Sequence, residues 1–267
     1  TKFESTKQAI DLAYSDDNGG TFSDPIEISG SSSTLCPTSF SGYGHSGVCD
    51  VDQFSYPTVA PNGALAVVFE NFQSPTAAAD FRGQLLVTKV DPDSFAVSGP
   101  SKVSAVIDGL DDYPIDSDGD QTLCNSNFRL GASTGNIAVD QNGKLYVTWF
   151  DDRAKAGQFP FPTFVAGAPP YQCPGTSTDA SVFFSRSTDG GVTWSAPKLV
   201  SPKPAGAARD QFQPFLASGP GGRVDVVFYD RRLDSNNKLA QTFIARSFNG
   251  GLSFQKIRVS DFASNFD

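Results

Sequence analysis

The stretch Ser187-Thr188-Asp189-Gly190-Gly191-Val192-Thr193-Trp194 reads S-x-D-x-G-x-T-W. The pattern returns near the start as Ser15-Asp16-Asp17-Asn18-Gly19-Gly20-Thr21-Phe22. It returns in weaker form near the end as Ser247-Phe248-Asn249-Gly250-Gly251-Leu252-Ser253-Phe254. Its chemistry is that of a hairpin turn that fastens itself. Asp or Asn accepts backbone N–H bonds and tolerates left-handed geometry, and the glycines supply positive φ. Ser and Thr hydroxyls add local bonds. The closing aromatic is expected to bury beneath the hairpin as an anchor.

The pattern resembles the Asp-box, or BNR repeat, of the sialidase-like β-propellers. Phe22 stands for Trp in the first copy, and Asn249 and Ser253 stand for Asp and Thr in the third. The resemblance implies a turn between the third and fourth strands of a blade, on the face opposite the active site. It therefore bears on fold far more than on function.

Working outward from the boxes, a second repeat appears. Thr58–Phe69, Ile137–Trp149 and Leu216–Phe228 each read strand, Gly turn, strand, with turns at Asn62-Gly63, Asn142-Gly143 and Gly221-Gly222. Asn-Gly suits a tight hairpin with positive φ. The turns recur about every 80 residues, which fits a four-stranded blade with loop insertions. The expected fold is all-β: a β-propeller of antiparallel four-stranded blades at about 53–105, 128–203 and 210–262, after a half-blade at 1–30, in one domain over 1–267. Three and a half blades do not close a ring, and propellers of the sialidase type usually have six. The expectation is therefore a part of a longer protein, closure with a partner chain, or a small ring with one reduced blade. An open sheet edge is otherwise an aggregation hazard.

Composition agrees and excludes. Aromatics are 12% of 267 residues, with 25 Gly and 18 Pro, as many short strands and turns require. The net charge of −9 argues against nucleic acid, whose phosphates need a basic surface. No apolar run approaches the ~18 residues of a membrane-spanning helix. The opening at Thr1 suits a processed mature form, and four cysteines suit disulfides in an oxidising, extracellular compartment.

Blade geometry puts the boxes and Gly turns on one face and the long loops (about 30–52, 71–82, 104–130, 151–179, 202–211 and 230–238) on the other, where ordered long loops tend to carry function. Three cysteine pairings exist. Loop placement favours Cys36–Cys49 within one loop and Cys124–Cys173 between two loops of the second blade. On the same face Asp151 and Arg153 align with Asp230 and Arg232, and the blade entries Asp52-Gln53-Phe54 and Asp210-Gln211-Phe212 echo one another. Asp52, Arg153, Tyr171, Arg209, Asp210 and Arg232 are candidates for binding an anionic or hydroxyl-rich ligand, since Arg forks match carboxylates. The same Asp/Arg pairs, recurring at equivalent positions, also suit braces between blades. Asp112, Asp116, Asp118 and Asp120 place carboxylates at near-alternate positions around Gly119, a candidate Ca²⁺ loop without the closing Glu of an EF-hand. The loop 158–172 is rich in Phe and Pro and offers stacking surfaces for sugars or a protein.

The sialidase resemblance implies three arginines on a carboxylate, a Tyr activated by Glu, and an Asp acid/base. The Arg-Ile-Pro-type tripeptide of that family is absent. The glutamates are Glu4, Glu27 and Glu70, and Glu70 breaks the repeat where Phe150 and Tyr229 stand. Glu70, Asp151, Asp230, Arg153 and Arg232 are thus weak catalytic candidates. A Ser/His/Asp hydrolase needs His45, the only histidine, which lies in a Gly-rich loop without a nucleophile elbow. Two readings follow: a secreted propeller module that binds a glycan or extracellular protein or joins an extracellular assembly, and an exo-sialidase-type glycoside hydrolase with part of its catalytic set outside this chain.

Overall fold

A computed structural model describes residues 7–37, 44–75, 82–107, 122–123, 133–153, 178–204 and 208–265. Among them there is no α-helix, and a 3₁₀ turn stands at Pro220–Gly222. Blade one comprises β3 (Asp52–Val59), β4 (Leu65–Asn71), β5 (Gln84–Val90) and β6 (Val97–Ala105). Blade two comprises β7 (Thr134–Val139), β8 (Leu145–Asp151), β9 (Ser181–Ser187) and β10 (Lys198–Leu199). Blade three comprises β11 (Gln211–Gly219), β12 (Arg223–Asp230), β13 (Leu239–Ser247) and β14 (Gln255–Arg258). Each is an antiparallel meander in sequence order. A further short strand, β15 (Ser264–Asn265), pairs with β13 beyond the end of β14. The leading half-blade is β1 (Asp11–Leu12) paired with β2 (Ile26–Glu27). The chain is all-β and built of propeller blades.

The second and third strands of blades one and two are buried along nearly their whole length. They therefore read as near-continuous apolar runs and not as alternations. One face of each such strand packs on the preceding unit and the other on the following one. Val68, Val87 and Trp149 share the seam between blades one and two, whereas Phe150, Phe184 and Phe228 share the seam between blades two and three. Ile28, Val67 and Phe69 join the half-blade to blade one.

The three box turns use the bonds that their residues predict. In the best copy Ser187 Oγ donates to Asp189 Oδ1 at 2.7 Å and accepts the Gly191 N–H at 2.7 Å, while the Thr193 N–H and hydroxyl both donate to the Asp189 carboxylate. Ser15, Asp17, Gly19 and Thr21 repeat the set. In the third copy the Asn249 amide reverses one bond and donates to Ser253 Oγ at 2.9 Å. Gly19, Gly191 and Gly251 hold φ of 82–89°, where a Cβ is strained.

The closing aromatics do not all bury. Trp194 and Phe254 are half-buried, but Phe22 is 67% exposed. The reason lies in what each one covers. Trp194 Nε1 donates to Ser101 Oγ of blade one at 3.1 Å, and Phe254 packs edge-on against Phe184 of blade two. In the abbreviated turn of blade one, Phe95 stacks on Tyr14 of the half-blade at 4.3 Å. The anchor thus seats in the preceding unit, not under its own hairpin, and Phe22 has no such neighbour among the described residues.

Candidate functional site

The first strands of the blades are the innermost, and each breaks register near its loop-side end: between Gln53 and Tyr56, between Thr134 and Asn136, and between Phe212 and Phe215. These are β-bulges, which re-aim side chains at the rims of sheets. They put Phe54 and Gln213 at φ of 57° and 46°. The middle bulge is Gly135, where a Cβ would lie 2.6 Å from Thr148 O and 2.7 Å from Pro214 O. Glycine is required there because the innermost strands of blades two and three meet backbone to backbone.

The bulges border a cavity of about 540 Å³ that runs from the inner strands of the three blades onto β12 and β13, walled by Phe54, Tyr56, Gln213, Phe215, Val227, Tyr229 and Thr242 among others. Tyr56 and Phe215 meet edge-on with centroids 6.2 Å apart. Phe54 and Phe215 keep 38% and 52% of their surface exposed. Flat apolar rings beside an amide and hydroxyls form a surface that stacks a ring while bonding to its substituents. No described lining residue is a carboxylate or an arginine.

The described Asp/Arg candidates from the sequence lie elsewhere, in a polar belt between blades. Arg153 Nε donates to Asp151 Oδ1 at 2.8 Å and its Nη2 reaches Ala105 O of blade one at 3.3 Å. Arg232 repeats this, with Nε on Asp230 Oδ2 at 2.6 Å and Nη2 on Ser201 Oγ of blade two at 2.6 Å. Both carboxylates are fully buried. The pairs therefore fasten each blade to the one before it.

The echo between Asp52-Gln53-Phe54 and Asp210-Gln211-Phe212 is out of register by one residue. Asp52 stands opposite Asn71, but Gln211, not Asp210, stands opposite Asp230. A one-residue slip exchanges strand faces, so the motif match does not survive pairing. The two blades instead carry one amide–carboxylate pair in opposite senses. Asn71 Nδ2 donates to Asp52 Oδ1 at 2.7 Å, and Gln211 Nε2 donates to Asp230 Oδ2 at 2.9 Å. Asp210 is buried among the Ala180 N–H, the Asn237 amide and Arg231. Arg209 donates to the carbonyls of Asp234 and Ala208.

Asp52 is 4% exposed. Burial pushes its carboxyl up to about 8; the Asn71 and Ser29 hydrogen bonds pull the other way, and the charges of Asp50 and Glu27 add to the rise. Glu70 is 1% exposed, with Oε1 only 2.6 Å from where a Gly83 Cβ would stand. It shares the β4 face of Ala66 and Val68, inside the seam towards blade two. His45 holds the buried Asp50 through its backbone N–H at 2.9 Å and Nδ1 at 2.6 Å, with its ring side chain 56% exposed. Cys36 and Cys49 form a disulfide with Cα atoms 5.3 Å apart, and both sulfur-bearing residues are fully buried beside the half-blade. Tyr171, Cys124, Cys173, the loop 158–172 and the acidic residues Asp112, Asp116, Asp118 and Asp120 lie outside the described residues.

Sequence reasoning missed the cavity at the bulges. Gln53-Phe54-Ser55-Tyr56 and Gln211-Phe212-Gln213-Pro214-Phe215 each put two aromatics inside a short run of the strand that opens a blade. That was the available signal.

No family model matches the chain, and no curated protein matches it by sequence. Solved structures do match. An α-L-arabinanase of Penicillium chrysogenum, complexed with arabinobiose, superposes with a TM-score of 0.55 at 12% identity, over 95% of this chain and 59% of that one. An ulvan lyase, from a family of polysaccharide lyases and bound to a glucuronate–sulfated rhamnose glycan, gives 0.51 at 11% identity, over 96% and 51%. A Hadza microbial sialidase gives 0.43 at 12% identity, over 96% and 53%, too loose to argue from. The chain spans between half and three fifths of the length of these proteins. At such identities the likeness is one of fold.

Proposed function

We propose that this chain is a secreted Asp-box propeller module that binds a glycan in this cavity. The observation that carries the reading is the wall itself: Phe54, Tyr56, Phe215 and Tyr229 beside Gln213 and Thr242. Sugars present apolar C–H faces for stacking and hydroxyls for amide and hydroxyl partners. The fold neighbours bound to arabinobiose and to an ulvan fragment support a glycan over a protein partner. The buried disulfide supports an oxidising, extracellular setting. Calcium on the acidic loop around Asp116–Asp120 belongs to the same proposal and is tested by a rise in unfolding temperature with Ca²⁺ that EDTA reverses.

The test is calorimetric titration with neutral arabino-oligosaccharides, uronic-acid oligosaccharides and a sialoside. Binding of one class, weakened about tenfold or more by Tyr56→Ala and by Phe215→Ala, supports the proposal. Binding of none, or binding indifferent to both changes, overturns it. A hydrolase of exo-sialidase type is the second reading, and its observation is Glu70, a carboxylate buried where the other blades carry Phe150 and Tyr229. Release of product from an aryl sialoside, lost on Glu70→Gln, would establish it.

A further inference from the structure

The three blades repeat one cross-strand pair in the same register: Ala66 opposite Lys89, Tyr146 opposite Arg186 and Asp225 opposite Arg246. The second member is a cation each time, and two of the three cations are engaged. In blade three Arg246 Nε donates to Asp225 Oδ1 at 2.6 Å, and Arg223 shares that carboxylate. In blade two Arg186 Nη1 donates to Gly250 O of blade three at 3.1 Å, beside Tyr146, whose hydroxyl donates to Asp140 Oδ2 at 2.9 Å. Blade one has neither arrangement. Ala66 stands where the others carry Tyr or Asp, and the half-buried Lys89 makes no hydrogen bond or ion pair with the described residues.

The loss extends along the hairpin. The turns of blades one and two close in the same way, Gly63 N–H on Ala60 O and Gly143 N–H on Asp140 O. Asp140, Lys144 and Tyr146 of blade two therefore correspond to Ala60, Ala64 and Ala66 of blade one. Where these large side chains are replaced by alanine, the seam between blades one and two holds a second cavity, of about 520 Å³, lined by all three alanines. It lies among the Asn-Gly hairpins and the second box turn, and shares no lining residue with the cavity at the bulges. Lys89 lines it, with Nζ 4.0 Å from where a Gly190 Cβ would stand. Asn62, Gln141, Asn142 and Thr188 add amides and a hydroxyl. The Asp189 carboxylate beside them is already taken by the Ser187 hydroxyl and by the N–H and hydroxyl of Thr193. An unfilled void costs stability, and so does a half-buried ammonium without a partner. An anionic occupant relieves both.

We propose that this seam cavity binds a sugar carrying one anionic group, a carboxylate or a sulfate, with the charge on Lys89 and the hydroxyls on the amides of Asn62, Gln141 and Asn142. An ammonium is a compact point charge that accepts either group, without the planar match that an Arg fork demands. The volume lies in the range of small-molecule sites. None of the described lining residues is aromatic, so recognition here runs through charge and hydrogen bonds and not through stacking. The site therefore does not rest on the glycan reading of the other cavity.

Amide chemical-shift titrations of the full chain with glucuronate, a glucose sulfate monoester and glucose test this at constant ionic strength. Saturable shifts at Lys89 and Gly190 are expected with at least one of the two anionic sugars and not with glucose. The sugar that responds names the anionic group. Lys89→Gln should weaken that binding by about tenfold or more, because a hydrogen bond to a charged group is lost. Ala66→Asp gives Lys89 the partner that Arg246 has and should weaken binding as much with the cavity still open. Ala66→Tyr installs the residue of blade two and should block binding with the charge in place. Lys89→Gln alters only a half-buried side chain, so it remains decisive even where a change at Ala66 unfolds the chain. Three results overturn the proposal: no saturable shift with either anionic sugar, an affinity indifferent to Lys89→Gln, or an equal response to glucose. Shifts confined to Phe54, Tyr56 and Gln213 also overturn it, since they place the sugar in the cavity at the bulges and leave that reading standing.

Discussion

Phe254 meets Phe184 edge-on at 5.2 Å, a turn residue of the third blade set into the second. The blade seams are therefore held by outer turns as well as by strand faces. Phe254→Ala should cost about 2–3 kcal/mol, below the range for a fully buried Phe because the ring is half-covered. Phe22→Ala should stay within about 0.5 kcal/mol, since the same motif position is open there. Urea unfolding at low protein concentration separates the two. Equal losses would mean that the box aromatic acts within its own hairpin.

Arg232 and Asp230 form the tighter of the two Asp/Arg braces, with side chains 8% and 0% exposed. Arg232→Ala leaves a buried carboxylate whose remaining charge-bearing partner is gone, and should cost about 3 kcal/mol. Restoring a positive charge with Arg232→Lys should recover little, because the fork spans Asp230 and Ser201 together. Glycan affinity in variants that remain folded should be unchanged. A selective loss of binding with intact stability would return these residues to the ligand site.

Asp52 titrates in the direction opposite to the box aspartates. Its folded pKa, raised to about 8 from 3.8 by burial, means that the folded state holds a proton that the unfolded chain has released. Its contribution is full below pH 4, declines by at most about 1.4 kcal/mol per pH unit between 4 and 8, and is gone above 8. Asp17, held down near 2 by the Thr21 N–H and by the Ser15 and Thr21 hydroxyls, keeps its contribution above about pH 4 and loses it only below. Asp52 therefore titrates inside the window from 4 to 8, where Asp17 does not. Asp52→Asn should flatten the fall in stability across it and leave the acid limb alone. Chemical denaturation at pH 5, 7 and 8.5 reads the difference, and parallel curves for the two proteins would refute it.

The blades were legible because their signals are local. A box turn is specified by residues within eight positions, and the Asn-Gly hairpins by two. The braces at Asp151/Arg153 and Asp230/Arg232 were legible as a repeat, but their partners Ala105 and Ser201 were not, since these come from the neighbouring blade. The cavity at the bulges was hidden for a related reason. A bulge is an event in strand register, and Asp52-Gln53-Phe54 resembles Asp210-Gln211-Phe212 in letters while pairing one residue apart. The exposure of Phe22 likewise depends on what precedes its unit in space, which an eight-residue pattern does not encode.

Gly135 joins the fold to the cavity in one residue. A Cβ there would press on two carbonyl oxygens, Thr148 O and Pro214 O, both backbone and unable to swing aside. Gly135→Ala must therefore part β7 from β11 by several tenths of an ångström, an overpacking cost of about 1–3 kcal/mol. Pro214 lies in the bulge that presents Gln213 and Phe215, so the same displacement moves two walls of the cavity. Gly143→Ala is the control. It has nothing within 4 Å of its Cβ position but holds φ at 76°, so it should cost about 1 kcal/mol of backbone strain and leave the cavity alone. If the cavity is the glycan site, Gly135→Ala weakens binding in the folded fraction and Gly143→Ala does not, as titrations of both variants would show. Equal affinities would detach the bulges from the site, whatever their effect on stability.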